Sequence, residues 1–296
     1  MKQKVLHSDP TKVKVGEIEI IYDTFGDSTA PSMLLVTGLG DQMIAWDEEF
    51  CCELAAQGYW VIRYDNRDAG LSTKFDEAGM PDIPALMQGK MIETPYLLRD
   101  MADDGVGLLD ALGVESAHVV GLSMGGMIVQ EIAIHHPQRV RTMTSIMSST
   151  GNPELPPAKP EAMALLTEPA PTARLDYIEG SVRIARILSG PGFPADEDRI
   201  RKKAGDVFDR GLSPAGMTRQ LAAIIGSGSR KDALKSVTVP ALVIHGDADP
   251  LVPVEAGIDT ADAISGATLF IIKGMGHSLP PAVWPQIVAA IVHHAA

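Results

Sequence analysis

Residues 117–126 read AHVVGLSMGG, and the reading of that stretch decides the fold. A β-branched run, AHVV, ends in Gly121-Leu122-Ser123-Met124-Gly125-Gly126 and passes straight into a helical pattern that stops at Pro137. A serine on a tight strand-to-helix turn needs small neighbours, because the turn brings backbone close on both sides. The strain is offset by exposing the serine oxygen at a helix N-terminus. The plain alternative is a glycine-rich βα turn that merely contains a serine. Strand before, helix after and a position near the middle of the chain favour a nucleophile.

Working outward, five further apolar runs suit strands covered on both faces. They are SMLLVTG (32–38), YWVIRYD (59–65), TMTSIMS (142–148), ALVIHGD (241–247) and TLFIIKG (268–274). Helical spacing fills 46–57, 98–112, 124–136 and 283–292. This alternation predicts an α/β fold, a mostly parallel sheet with helices on both faces. The opening VKVGEIEIIYDTFG (13–26) predicts an antiparallel hairpin at one edge. Residues 74–97, with three prolines and three methionines, read as an irregular loop. Residues 150–236 are Pro-rich at first, then helical in pattern over 173–188, 195–210 and 214–225, with no buried-strand run. They read as a helical cap inserted into a core made of 1–149 and 237–296.

Composition narrows the function. The 296 residues are 45% hydrophobic and 21% charged, enough to bury one large core. A balance of 25 basic against 38 acidic side chains, net −13, argues against a polyphosphate partner such as nucleic acid. Cys51 and Cys52 are neighbours, with α-carbons about 3.8 Å apart, closer than a disulfide prefers. They read as free, half-buried thiols in a reducing compartment. No spaced Cys/His set suggests a metal. With no signal-peptide pattern at the start and no run of about 20 apolar residues, a soluble cytoplasmic protein with no membrane contact is expected.

A neutral hydroxyl is a poor nucleophile; it needs a base, and the base an orienting acid. Chain order after such a turn is acid, then His. His7 and His118 precede Ser123, His135 and His136 close the next helix, His245 lies inside a strand, and His293 and His294 end the last helix. That leaves His277, in KGMGHSLP after the strand TLFIIK, as the base. In HGDADPLVP the acid is Asp249, further out and before Pro250; Asp247 suits an Asx-type turn cap. The N–H groups of Met124 and Leu39 are the expected oxyanion donors. Gly38 and Gly40 do not begin a dinucleotide site, because Met43 takes the third glycine position. Met43, Met124 and Met275 flank the three loops, so with Gly38 they are expected to shape an apolar, adaptable pocket.

The chain resembles the α/β-hydrolases throughout its length, and within them the branch of aclacinomycin methylesterase and related carboxylesterases. The shared stretches are TGLGDQMIAW (37–46), RYDNRDAGLS (63–72), AHVVGLSMGG (117–126), VPALVIHGDADPLVP (239–253) and GMGHSLP (274–280). The resemblance implies Ser123 as nucleophile, His277 as base and Asp249 as acid, with no metal or organic cofactor. It implies ester hydrolysis through an acyl-enzyme. Because no Arg or Lys lies in GLGDQM, GLSMGG or GMGHS and the net charge is −13, the ester is expected to be neutral or cationic and largely apolar. A lactone, even a macrocyclic one, or a carbon–carbon bond beside a carbonyl is open to the same machinery. A non-enzymatic small-molecule receptor on this scaffold would keep the triad and bind without turnover. Epoxide hydrolases and dehalogenases need an Asp where Ser123 stands. Two departures stand out: Thr37-Gly38 replaces His-Gly of many relatives, keeping the backbone donor but removing its polar support, and Asp68 stands where many have Gly.

Overall fold

The computed structural model describes residues 5–90 and 93–296. Residues 1–4, the start of the N-terminal stretch, and 91–92, part of the 74–97 loop, lie outside the described residues. Eight strands form one sheet: β1 (Thr11–Val15), β2 (Ile18–Phe25), β3 (Ser32–Val36), β4 (Trp60–Tyr64), β5 (Ala117–Leu122), β6 (Val140–Ile146), β7 (Ala241–Gly246) and β8 (Thr268–Ile272). Their order is β1-β2-β4-β3-β5-β6-β7-β8. β1 and β2 pair antiparallel at one edge, and β2 joins β4 antiparallel; every later pairing is parallel. The mostly parallel sheet and its edge hairpin are therefore as the pattern predicts. β8 departs from it: as the outer strand it leaves Thr268 and Leu269 exposed, so TLFII is not covered on both faces.

The flanking helices are α1 (Glu48–Ala55), α2 (Ile83–Met87), α3 (Leu98–Ala111), α4 (Met124–His135), α5 (Pro160–Leu165), α6 (Arg174–Leu188), α7 (Glu197–Arg210), α8 (Pro214–Ser227), α9 (Lys231–Leu234), α10 (Val254–Ala263) and α11 (Trp284–Ala295). α3 and α4 bury Leu98, Leu108, Ile128 and Ile132 with Leu34, Ile62 and Val119 on one face. α1 and α11 bury Phe50, Leu54, Ile287 and Ile291 with Met33, Leu35 and Val61 on the other. Successive strand residues thus feed opposite cores, as strand alternation requires. Within 74–97 the prolines do not exclude helix: Asp82 caps α2 by accepting from Ala85 N at 3.0 Å, and Pro84 sits in its first turn. Among the described residues no helix is long and apolar enough to cross a membrane.

β3 neighbours β4 on one side and β5 on the other, so the loops after β3 and β5 depart to opposite faces. Their separation opens a crevice at the strand C-termini, where α/β sheets place their sites. Residues 150–236 contain α5 to α9 and no strand. Two of these helices grip the loop after β4. Arg210 of α7 reaches Asp65 at 2.9 Å, and Arg219 of α8 makes a fork to Asp68 at 2.7 and 2.8 Å with both side chains fully buried. α9 turns back to the core, where Leu234 is fully buried beside the α4 layer.

Asp68 has φ 66°, which explains an aspartate at a position that glycine fills elsewhere. Asp is among the residues that tolerate this region, and its carboxylate also accepts from Tyr96 Oη at 2.6 Å. Burial works against its charge, but Arg219, Tyr96 and the Phe75 N–H hold its pKa below the usual carboxylate range. Arg219→Met is expected to lower stability by about 3 kcal/mol, the low end for breaking a buried pair, because Tyr96 still donates. Urea denaturation reads the loss; an unchanged midpoint would count against this anchor.

Candidate active site

Ser123 stands between β5 and α4 at φ 55° and ψ −118°, a rare backbone region for a residue with a side chain. Its neighbours must be small. A Cβ on Gly121 would strike Gly125 O, and one on Gly125 would strike Val36 O. The turn points Ser123 Oγ at His277, to whose Nε2 it donates at 3.0 Å. His277 follows β8, and its Nδ1 lies 2.7 Å from Asp249 Oδ2. A carboxylate only accepts, so Nδ1 carries the proton and Nε2 is left free to take one. Asp249 is itself fixed, its Oδ1 accepting from Leu251 N at 2.9 Å and Val252 N at 2.8 Å. A hydroxyl, an imidazole and a carboxylate in line is the arrangement that makes serine nucleophilic.

Asp247 is exposed and makes a different contact, accepting from Gly274 N at 2.6 Å. It braces the β7 loop against the loop that carries His277. His245 packs in the core, fully buried, with Nε2 2.8 Å from Val252 O and 3.7 Å from Asp249. Burial pushes its pKa down, so it stays a neutral ring beside Asp249. The other histidines lie elsewhere: His118 contacts Thr142, His135 contacts Glu131 and His136 contacts Asp103.

The loop after β3 brings Leu39 to the same crevice, and Met124 begins α4. Among the described residues neither N–H has an acceptor. Support for this loop is rebuilt where the sequence suggests a loss. Asn66 Nδ2 donates to Thr37 Oγ1 at 3.1 Å and to Thr37 O at 3.3 Å. Gln220 of α8 accepts from Gly40 N at 2.8 Å while donating to Arg67 O at 2.7 Å.

The methionine expectation needs correction. Met43, Met124 and Met275 are each at most 1% exposed. Met124 packs in the α3–α4 core and Met275 in the opposite one, so those two side chains are committed to cores rather than to the crevice. Adjacency in sequence to a loop does not set the direction of a side chain. Gly38 is likewise buried, but it lies against Ser123, whose Cβ is 3.5 Å from where a Gly38 Cβ would be. The methionine that meets the β3 loop is Met217 of α8, against Gly40. Arg210, Met217, Arg219 and Gln220 were not legible as contacts of the core. Helical spacing identifies their helices, not the loops those helices touch.

The end of α6 also reaches the site. His277 N donates to Leu188 O at 2.8 Å and Gly192 N to Gly274 O at 2.9 Å. A side chain on Gly190 would collide with the 274–276 backbone.

This sheet, crevice and turn define an α/β-hydrolase. The chain belongs to the family described as serine aminopeptidase, S33, whose hydrolase model matches residues 27–280. It is 32% identical to rhodomycin D methylesterase DauP of Streptomyces sp. (strain C5), over 96% of this chain and 98% of that protein. It is 28% identical to 3-oxoadipate enol-lactonase 2 of Acinetobacter baylyi, over 87% of this chain and 86% of that one. Among solved structures, 2-hydroxy-6-oxo-6-phenylhexa-2,4-dienoate hydrolase from Rhodococcus sp. strain RHA1 matches in fold, with TM-score 0.76 and 20% identity over 98% and 99% of the two chains. The protein is a hydrolase.

Proposed function

We propose that the protein is a serine carboxylic ester hydrolase acting on a neutral or cationic, largely apolar ester through an acyl-enzyme. The observation that carries this is the line from Ser123 Oγ through His277 to Asp249, with contacts of 3.0 and 2.7 Å. His277 Nε2 takes the Ser123 proton as Oγ attacks the ester carbonyl. The Leu39 and Met124 N–H groups receive the oxyanion, and Asp249 holds the imidazole tautomer and steadies its charge. His277 then gives its proton to the leaving alcohol. Water, activated by the same nitrogen, releases the acid and restores Ser123.

Residues 150–236 act as a cap over the crevice, rooted through α9 in the core. Their contacts with the loops after β3, β4 and β8 support this role. Of the four arginines that could attract an anion, three are engaged elsewhere, Arg63 with Asp23, Arg67 with Asp104 and Arg174 with Asp209, and the fourth, Arg99, is exposed at the start of α3. An anionic substrate would then be buried without a partner, at a cost of several kcal/mol. A lactone opens by the same steps, and the likeness to the enol-lactonase favours it as a second substrate class. No organic cofactor enters either reaction.

Treatment with an aryl phosphonate during turnover of a small ester panel tests the reading. One adduct per chain on the Ser123 peptide, with loss of turnover, is the expected result. An adduct on another serine, or turnover that survives full labelling, would overturn it.

A further inference from the structure

Asp41 is the one charged side chain of GLGDQM (38–43) in the loop after β3, and the proposed ester chemistry gives it no role. The residue is exposed although protein closely surrounds its carboxyl, and among the described residues that carboxyl has no hydrogen-bond or ion-pair partner. The turn that presents Leu39 also fixes Asp41, whose N donates to Gly38 O at 3.3 Å while Thr37 Oγ1 donates to its carbonyl at 3.4 Å. The point a Gly38 Cβ would occupy is 2.9 Å from Asp41 Oδ2 and 3.5 Å from Ser123 Cβ. The carboxylate therefore stands beside the proposed nucleophile.

The groups within range of its charge are Lys203 of α7, His277 of the β8 loop and Tyr177 of α6. Lys203 Nζ is already held by Ala45 O at 2.8 Å and Asp47 at 3.0 Å, and His277 by Asp249. Tyr177 packs its ring 5.8 Å from that of Phe208. Loss of surrounding water pushes the Asp41 carboxyl above its usual range, and Lys203 and His277 draw it back. A neutral substrate entering this crevice strips the remaining water and returns nothing. A carboxylate adds repulsion. An ammonium supplies the missing partner.

We propose that Asp41 is a specificity-determining residue that selects esters or lactones carrying a cationic amine close to the scissile carbonyl. This rests on the ester-hydrolase reading and narrows its substrate class.

The test uses three matched ester series in which the acyl chain ends in trimethylammonium, in its neutral isostere tert-butyl, or in carboxylate. The readout is the ratio of kcat/KM values, which a general loss of activity leaves unmoved. The wild type should prefer trimethylammonium over tert-butyl by about tenfold at the best chain length and should turn over the carboxylate least. In Asp41→Asn the trimethylammonium preference should vanish, and in Asp41→Glu it should persist with a shifted optimal length. Equal ratios in wild type and Asp41→Asn, or no preference in the wild type, would overturn the proposal. Calorimetric binding of benzyltrimethylammonium reads the site without turnover and should weaken about tenfold in Asp41→Asn. Unchanged binding sinks the cation site. Asp41-dependent binding with no turnover of any ester sinks the ester-hydrolase reading alone.

Discussion

Ser123→Ala is expected to lower kcat on every accepted ester by about five to six orders of magnitude, the scale on which removing a serine nucleophile acts elsewhere. The geometry leaves no substitute. Ser123 Oγ is the hydroxyl that donates to His277 Nε2, and the nearby Ser145 and Ser148 lie beneath α4 against Gly126. Alanine keeps a Cβ at φ 55°, so the turn that serine already tolerates is not disturbed further. The circular dichroism spectrum and melting midpoint should match wild type. Single-turnover assays at high enzyme concentration read the residual rate. Activity within a hundredfold of wild type would mean that the chemistry lies elsewhere.

Asp249→Asn should cost about ten-thousand-fold in kcat, while Asp247→Asn costs little. An asparagine at 249 presents either an amide N–H or a carbonyl to His277 Nδ1. The orientation that donates forces the proton onto Nε2, where it blocks uptake from Ser123. The Leu251 and Val252 N–H groups bind Oδ1 and so favour that unproductive orientation, since they need an acceptor there. Asp247 touches the reaction only through the Gly274 N–H, a contact that an asparagine carbonyl can keep. The two variants differ in sequence position by two residues and in expected rate by orders of magnitude. The reverse ranking would exchange the two roles.

The sheet was legible because its strands are local, dense apolar runs, and because AHVVGLSMGG joins one of them to a helix with small residues on both sides. The order of Ser123, Asp249 and His277 was legible from loop positions at strand ends. What was hidden depends on direction rather than on position along the chain. Met275 looks like a pocket residue when read beside its loop, yet it points into a core. Nothing in GLGDQM tells whether the Asp41 carboxyl finds a partner. Arg219 reaches Asp68 across 151 residues of chain, and Gln220 reaches Gly40 across 180. No periodicity carries such pairings. They belong to docking, which the two ends of a contact settle together.

The hold of Leu188 on the His277 backbone has a bearing on how such enzymes diversify. A graft that exchanges 150–236 wholesale for another helical segment would carry away the strut under the imidazole along with the old substrate walls. A viable chimaera would have to retain the 188–192 turn and splice on either side of it. Arg210, Arg219 and Gln220 of α7 and α8 are struts of the same kind, so recombination, natural or in the laboratory, is freest in the stretches between these contacts, and new specificities in this lineage should arise mainly there.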